Sequence, residues 1–300
     1  MMKMSRVLLL TLLTALVVHG GQVPPPLPPD VELIRDVEYG AGGGRPLKMH
    51  LIRPKTPPKD AMPVVVWIHG GAWRAGNKDS GIGNLARFAR RGYFCASIEY
   101  RLSQEAIFPA QIEDCKCALR FLRAKAKEYN LDPNRIGVWG SSAGGHLVAL
   151  LGTSGDVKEL EGKGGWQEFS SRVNAVCDFF GPTDFLKMKD FPSNIDRNSP
   201  NCPEALLVGG SLEQNKDKAA KANPITYITK DDPPFLIMHG DKDPIVPFNQ
   251  SELLHEALKK AGVDVTFHTV KDAGHGFGGP EIQKMVDEFF DKHLKQSGGK

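Results

Sequence analysis

Ser142 sits at the centre of a Gly-x-Ser-x-Gly pentapeptide, Gly140 to Gly144. A serine hydroxyl becomes a useful nucleophile when a base removes its proton, a third group orients that base, and N–H donors meet the oxyanion that forms. The flanks give the pentapeptide its weight: Ile136–Trp139 before it reads as a strand and Gly145–Leu151 after it as a helix. On a tight strand-to-helix turn the hydroxyl is pushed out of the sheet, and glycines two positions to either side keep Cβ atoms from colliding. Among 32 glycines such a pentapeptide arises by chance; the strand and helix around it set this one apart.

Nine histidines compete for the base. His19 belongs to the N-terminal apolar block, and His50, His255, His268 and His293 fall within strand or helix patterns that suit structural histidines. His146 follows Ser142 by one helical turn and is committed to packing. His275 lies in Asp-Ala-Gly-His-Gly-Phe-Gly-Gly (272–279), between the last strand and the last helix, where glycines let an imidazole reach across the strand ends. The acid is expected after the preceding strand, in His-Gly-Asp-Lys-Asp-Pro-Ile-Val-Pro (239–247). Asp243, deeper in that loop and followed by Pro244, is preferred to Asp241, which can bond its own turn; Asp178 and Asp184 serve only if the acid has moved to the previous strand. Oxyanion donors are expected from the amide of Ala143 and from Gly71 and Ala72 in His-Gly-Gly-Ala-Trp (69–73). His69 is expected to brace that loop. Trp73, Phe185 and Phe277 are candidates for the substrate pocket, although Trp73 fits simple packing equally well.

These groups need a scaffold that brings distant loops to one edge. Val31–Tyr39 and Leu47–Arg53 alternate in polarity, as edge strands do, with Gly40 to Gly44 as their turn. Buried strands are expected at Pro63–His69, Phe94–Tyr100, Val173–Phe180 and Pro234–His239, and further strands at Arg135–Gly140 and Val263–Val270. Helical patterns fall at Asn84–Arg91, Pro109–Tyr129, Ala143–Leu151, Ser251–Ala261 and Glu281–Leu294. This alternation predicts an α/β fold, a mostly parallel eight-stranded sheet flanked by helices. Residues 182–232 break the rhythm, with about fifty residues rich in Pro, Asn and Lys. They read as a cap over the strand ends or, alternatively, as a surface insertion with its own crossover helix.

The 300 residues carry 38 Lys+Arg against 35 Asp+Glu, with no basic stripe, which argues against a nucleic-acid partner. Lys3 and Arg6 precede an apolar block, Val7 to Val18, then small residues, so residues 1–21 are expected to be a secretory signal peptide, with a retained anchor as the alternative. The block is too short for a stable membrane span. Residues 22–30 form a Pro-rich linker, and the folded domain is expected over 31–300. Five cysteines give no framework: Cys115 and Cys117 diverge on a helix, Cys95 and Cys177 read as buried, and Cys202 falls in a polar loop. One bridge is allowed and none is demanded. Neither a metal nor another cofactor is called for, since no zinc-type spacing of His, Cys or acids occurs.

Together, His-Gly-Gly-Ala-Trp, Gly-Ser-Ser-Ala-Gly-Gly, His-Gly-Asp-Lys-Asp-Pro-Ile-Val-Pro and Gly-His-Gly-Phe resemble an α/β-hydrolase esterase from about Val31 to the C-terminus. Glu-Tyr-Arg-Leu (99–102) and Phe-Pro-Ala-Gln-Ile-Glu-Asp-Cys (108–115) are similar to segments of the hormone-sensitive-lipase-like group. The second half is more similar to bacterial feruloyl-esterase-like carboxylesterases. The resemblance implies Ser142, Asp243 and His275 as a triad, with Gly71, Ala72 and Ala143 as oxyanion donors. Ala72 stands where the lipase-like group carries a third glycine, which weakens any expectation of bulky or tertiary-alcohol esters. The implied activity is hydrolysis of short-chain or hydroxycinnamoyl esters, including esters on plant polysaccharides, outside the cytoplasm. His-Gly-Gly-x-Trp also resembles arylformamidases, so amide hydrolysis on the same triad stays open. A binding protein on a hydrolase scaffold is the remote alternative. The sequence leaves the oligomeric state open.

Overall fold

A computed structural model describes residues 27–155 and 157–295. The expected signal segment, most of the linker and the last five residues lie outside the described residues. Strands β1 (Val31–Gly42) and β2 (Arg45–Pro54) form an antiparallel pair turned by Gly43 and Gly44, both at positive φ. The turn is shorter than the glycine run suggests. Gly40 and Gly42 stay in the strand, where a Cβ on Gly40 would meet the carbonyl oxygen of Gly164 at 2.8 Å.

The remaining strands are β3 (Met62–Ile68), β4 (Phe94–Ile98), β5 (Leu131–Ser141), β6 (Ala175–Phe179), β7 (Phe235–Gly240) and β8 (Val265–Val270). The eight-stranded sheet runs β1-β2-β4-β3-β5-β6-β7-β8; β1 and β2 are antiparallel to their neighbours and the rest are parallel. Parallel strands buried on both faces explain the continuously apolar run of β3. Its side chains alternate: Val64, Val66 and Ile68 enter one core, Val65 and Trp67 the other.

Helices cover both faces. Helix α1 (Ile82–Arg90) packs on one side, and α2 (Ala110–Ala124) lies on the other, followed by the short α3 (Ala126–Tyr129). The single helix expected over 109–129 is therefore divided at Lys125, whose backbone leaves the helical region. Helix α4 (Ala143–Thr153) joins α2 in the larger core. Helices α5 (Pro203–Val208) and α6 (Lys216–Lys221) belong to the long excursion. Helix α7 (Asn249–Ala261) lies on the larger core, and α8 (Pro280–Leu294) closes the smaller one with Val286, Phe290 and Leu294. Among the described residues no helix is long and apolar enough to cross a membrane. The five cysteines are free and buried; Cys202 lies at the start of α5 rather than in a solvated loop.

The carboxyl ends of β3, β5, β7 and β8 lie along one edge, and the segments that follow them carry His69–Trp73, Ser142, Asp243 and His275. In open parallel sheets this edge is where ligands bind.

Candidate active site

Ser142 adopts φ 55° and ψ −121°, a conformation that costs a non-glycine residue about 1–3 kcal/mol. The turn is held by close backbone approach. A Cβ on Gly140 would strike the carbonyl of Gly144, and one on Gly144 would strike the carbonyl of Ile68 at the end of β3. The Ser142 amide donates to the Phe179 carbonyl at 2.9 Å, tying the turn to β6.

Ser142 Oγ lies 3.0 Å from His275 Nε2, and His275 Nδ1 lies 2.7 Å from Asp243 Oδ2. A carboxylate only accepts, so Nδ1 carries the proton and Nε2 is left to accept from the serine hydroxyl. The other Asp243 oxygen accepts from the amides of Ile245 at 2.8 Å and Val246 at 3.0 Å. Burial pushes this carboxyl up, but hydrogen bonds from His239 and His275 outweigh it and hold it well below the usual carboxylate range.

His239 Nε2 is 3.2 Å from Asp243 Oδ2 and 3.1 Å from the Val246 carbonyl, while Nδ1 meets Ser251 Oγ at 2.7 Å. With two pure acceptors at Nε2, the ring donates there and accepts from the serine. Sequence reading gave this histidine no role. The available signal was its position four residues before Asp243, at the end of the same strand.

The other acids are occupied elsewhere. Asp241 accepts from the amide of Asp272 at 2.7 Å, so it ties the acid loop to the histidine loop instead of bonding its own turn. Asp184 accepts from the amides of Leu186 and Lys187. Asp178 is fully buried, accepts from the Gly181 amide at 3.0 Å, and is pushed up to about 7 by burial. A carboxyl neutral so far up the pH scale is poorly suited to hold an imidazolium.

The glycine-rich loop stands against the turn: a Cβ on Gly70 would lie 3.3 Å from Ser142 Cβ. Gly71, Ala72 and Trp73 all have positive φ, at 107°, 56° and 55°. The amides of Gly71, Ala72 and Ala143 find no acceptor among the described residues. His69 Nδ1 bonds the Gly70 carbonyl at 2.7 Å and its ring stacks on Tyr100, whose hydroxyl donates to the His69 carbonyl at 3.0 Å. Arg101, next in the chain, donates to both oxygens of Asp114 and so anchors the following segment to α2. Tyr100 of the Glu-Tyr-Arg-Leu segment thus props this loop.

Ser142 opens into an apolar cleft of about 260 Å³, lined with Ala72, Trp73, Ala143, Pro182, Ile195 and Val246. Arg197, Pro203, Glu204 and Ile245 complete it, so the 182–232 excursion forms one wall. Trp73 lines the cleft and also donates from Nε1 to His146 Nδ1 at 3.2 Å. Phe185 packs behind Trp73 and His146, and Phe277 packs on Phe179 and Phe180; neither is among the residues lining this cleft. Among the described residues no group of His, Cys, Asp and Glu could hold a metal ion.

Residues 49–258 match the family model described as BD-FAE. Esterase LipQ of Mycobacterium tuberculosis is 31% identical over 244 residues, covering 81% of this chain and 56% of that protein. The chain spans about half the length of the curated relatives it matches. Among solved structures, a bifunctional GH43-CE from Bacteroides eggerthii superposes with a TM-score of 0.80 at 37% identity, covering 87% of this chain and 38% of that one. A truncated carbohydrate esterase from gut microbiota gives 0.80 at 33% identity, covering 88% of this chain and 97% of that one.

Proposed function

Because the chain belongs to the BD-FAE family of α/β-hydrolase esterases, we propose that it is an exported serine carboxylesterase acting on short-chain or hydroxycinnamoyl esters. The observation that carries this reading is the unbroken hydrogen-bonded series from Ser142 through His275 to Asp243 at the mouth of an apolar cleft. Ser142 Oγ attacks the ester carbonyl while His275 Nε2 takes its proton. Asp243 keeps Nδ1 protonated and offsets the imidazolium charge. The oxyanion is received by the amides of Gly71, Ala72 and Ala143, the last at the positive end of α4. His275 returns the proton to the departing alcohol, leaving an acyl-serine. Water then repeats the sequence and frees the acid.

The apolar lining beside Ser142, from Ala72, Trp73, Pro182, Ile195 and Val246, suits a short or aromatic acyl group better than a charged one. Export is supported by the basic and apolar segment within residues 1–21 and suits an ester carried on an extracellular polymer.

The test is steady-state hydrolysis of p-nitrophenyl acetate, methyl ferulate and N-formylkynurenine by the wild type and Ser142→Ala. Ester turnover is expected, falling at least about 10⁴-fold in the variant. Preferential cleavage of the formamide would move the protein to amide hydrolysis, and inactivity of folded protein on all three would refute an enzymatic role.

A further inference from the structure

The wall of the Ser142 cleft contains a charged pair that ester cleavage leaves unused. Arg197 and Glu204, both from the 182–232 excursion, are 5% and 2% exposed and form an ion pair. Arg197 Nη2 donates to the Ile245 carbonyl at 2.5 Å. Arg197 Nε and Glu204 Oε2 have no hydrogen-bond partner among the described residues. Burying a donor and an acceptor unmatched costs free energy that an apolar pair of the same shape would avoid.

Their position supplies a reason. Both residues line the cleft that holds Ser142, and Arg197 also lines a second pocket of about 340 Å³. The other polar residues of that pocket are Lys189, Asn198, Ser211 and Glu213, and its apolar side is Phe185, Leu186 and Leu212. Arg197 is therefore a wall common to the reaction cleft and a pocket of mixed character. An anion there would meet Arg197 and Lys189 but be opposed by Glu204 and Glu213. A neutral group with adjacent hydroxyls suits both members of the pair, because a hydroxyl donates to a carboxylate and accepts from a guanidinium. A sugar ring also offers a C–H face to the apolar side.

We propose that Arg197 and Glu204 form a polyol subsite that takes the free hydroxyls of a sugar bearing the scissile ester, with the rest of the sugar directed toward the second pocket. This rests on the esterase reading and assigns the alcohol side of its substrate.

The experiment compares kcat/KM for a monoacetylated methyl xyloside with that for p-nitrophenyl acetate, in the full chain. Arg197→Lys and Glu204→Gln test the pair while keeping its size. The double variant Arg197→Met with Glu204→Leu leaves no lone buried charge and guards against loss of fold. The expected result is a ratio of xyloside ester to p-nitrophenyl acetate at least tenfold lower in all three, carried by KM for the xyloside. A purely structural role, acting through the Ile245 carbonyl, would lower both substrates together and leave the ratio unchanged; that result overturns the proposal. Wild-type turnover of p-nitrophenyl acetate without any of the xyloside overturns it too, with the esterase reading intact. Absence of both activities in folded wild type removes the esterase reading and this inference with it.

Discussion

At Asp243 four donors converge on one buried carboxylate: two ring nitrogens, from His275 and His239, and two amides, from Ile245 and Val246. Because these bonds hold its pKa below the usual range, Asp243 stabilises the fold above ordinary carboxylate pH, and that stability is lost as acid protonates it. Its two kinds of neighbour should separate on mutation. Asp243→Asn keeps the shape but removes the charge, and its amide can stabilise the wrong imidazole tautomer; kcat should fall about 10⁴-fold. His239→Leu removes one of four donors and leaves the charge in place, so a loss of roughly tenfold is expected. Measuring kcat for both on p-nitrophenyl acetate checks the distinction. Equal losses would mean that His239 does more than hold the carboxylate.

At the scale of elements, the turn at Ser142 works because β3, β5 and α4 approach closer than any side chain allows. Gly144→Ala places a methyl group on the carbonyl of Ile68, with the His69 carbonyl 2.8 Å away, and neither backbone atom can swing aside. We expect it to cost more than about 3 kcal/mol and to abolish turnover, since relief requires moving Ser142 itself. Gly83 is the internal control: it lies in α1 with nothing within 4 Å of a new Cβ, so Gly83→Ala should stabilise by about 0.5 kcal/mol. Urea unfolding of both variants reads the contrast. The same closeness made this part of the molecule legible in the sequence. Glycines at 140 and 144 between an apolar run and a helical one admit few geometries, and β3 to β8 each show buried apolar character or a strand–turn–helix boundary. The excursion was not legible in that way. Its helices α5 and α6 have six residues each, too short for a periodic signal, and it is placed by long-range bonds. Asn194 N to the Pro244 carbonyl at 2.7 Å, Ser193 Oγ to the Ile245 carbonyl at 2.9 Å and Arg197 to the same carbonyl clamp it to the acid loop. No local pattern announces partners about fifty residues away. His239 was missed for a related reason: within an apolar strand it reads as packing until the loop folds back over it.

Across the whole molecule, His146 joins three regions that the sequence keeps apart. It lies in α4 one turn beyond Ser142, accepts from Trp73 of the glycine-rich loop, and meets the Ala222 carbonyl of the excursion at 2.7 Å. Ala222 only accepts and Trp73 only donates, so the neutral ring satisfies both and an added proton at Nδ1 would face the indole N–H. Burial lowers its pKa to about 4, against an ordinary value near 6.5. The unfolded chain therefore binds this proton first as pH drops. The stability contributed by neutral His146 is fully present above about 6.5 and is lost as pH falls toward 4. Between pH 7.5 and 5 that loss amounts to about 2 kcal/mol. His146→Gln keeps one donor and one acceptor in the same place and does not titrate. Denaturant unfolding at the two pH values should show wild type losing about 2 kcal/mol more than this variant on acidification. A lower stability of the variant at pH 7.5 does not affect the comparison, because only the difference between the two pH values reports the proton. If both proteins lose stability in parallel, His146 is not the group that couples the loop, the helix and the excursion to pH.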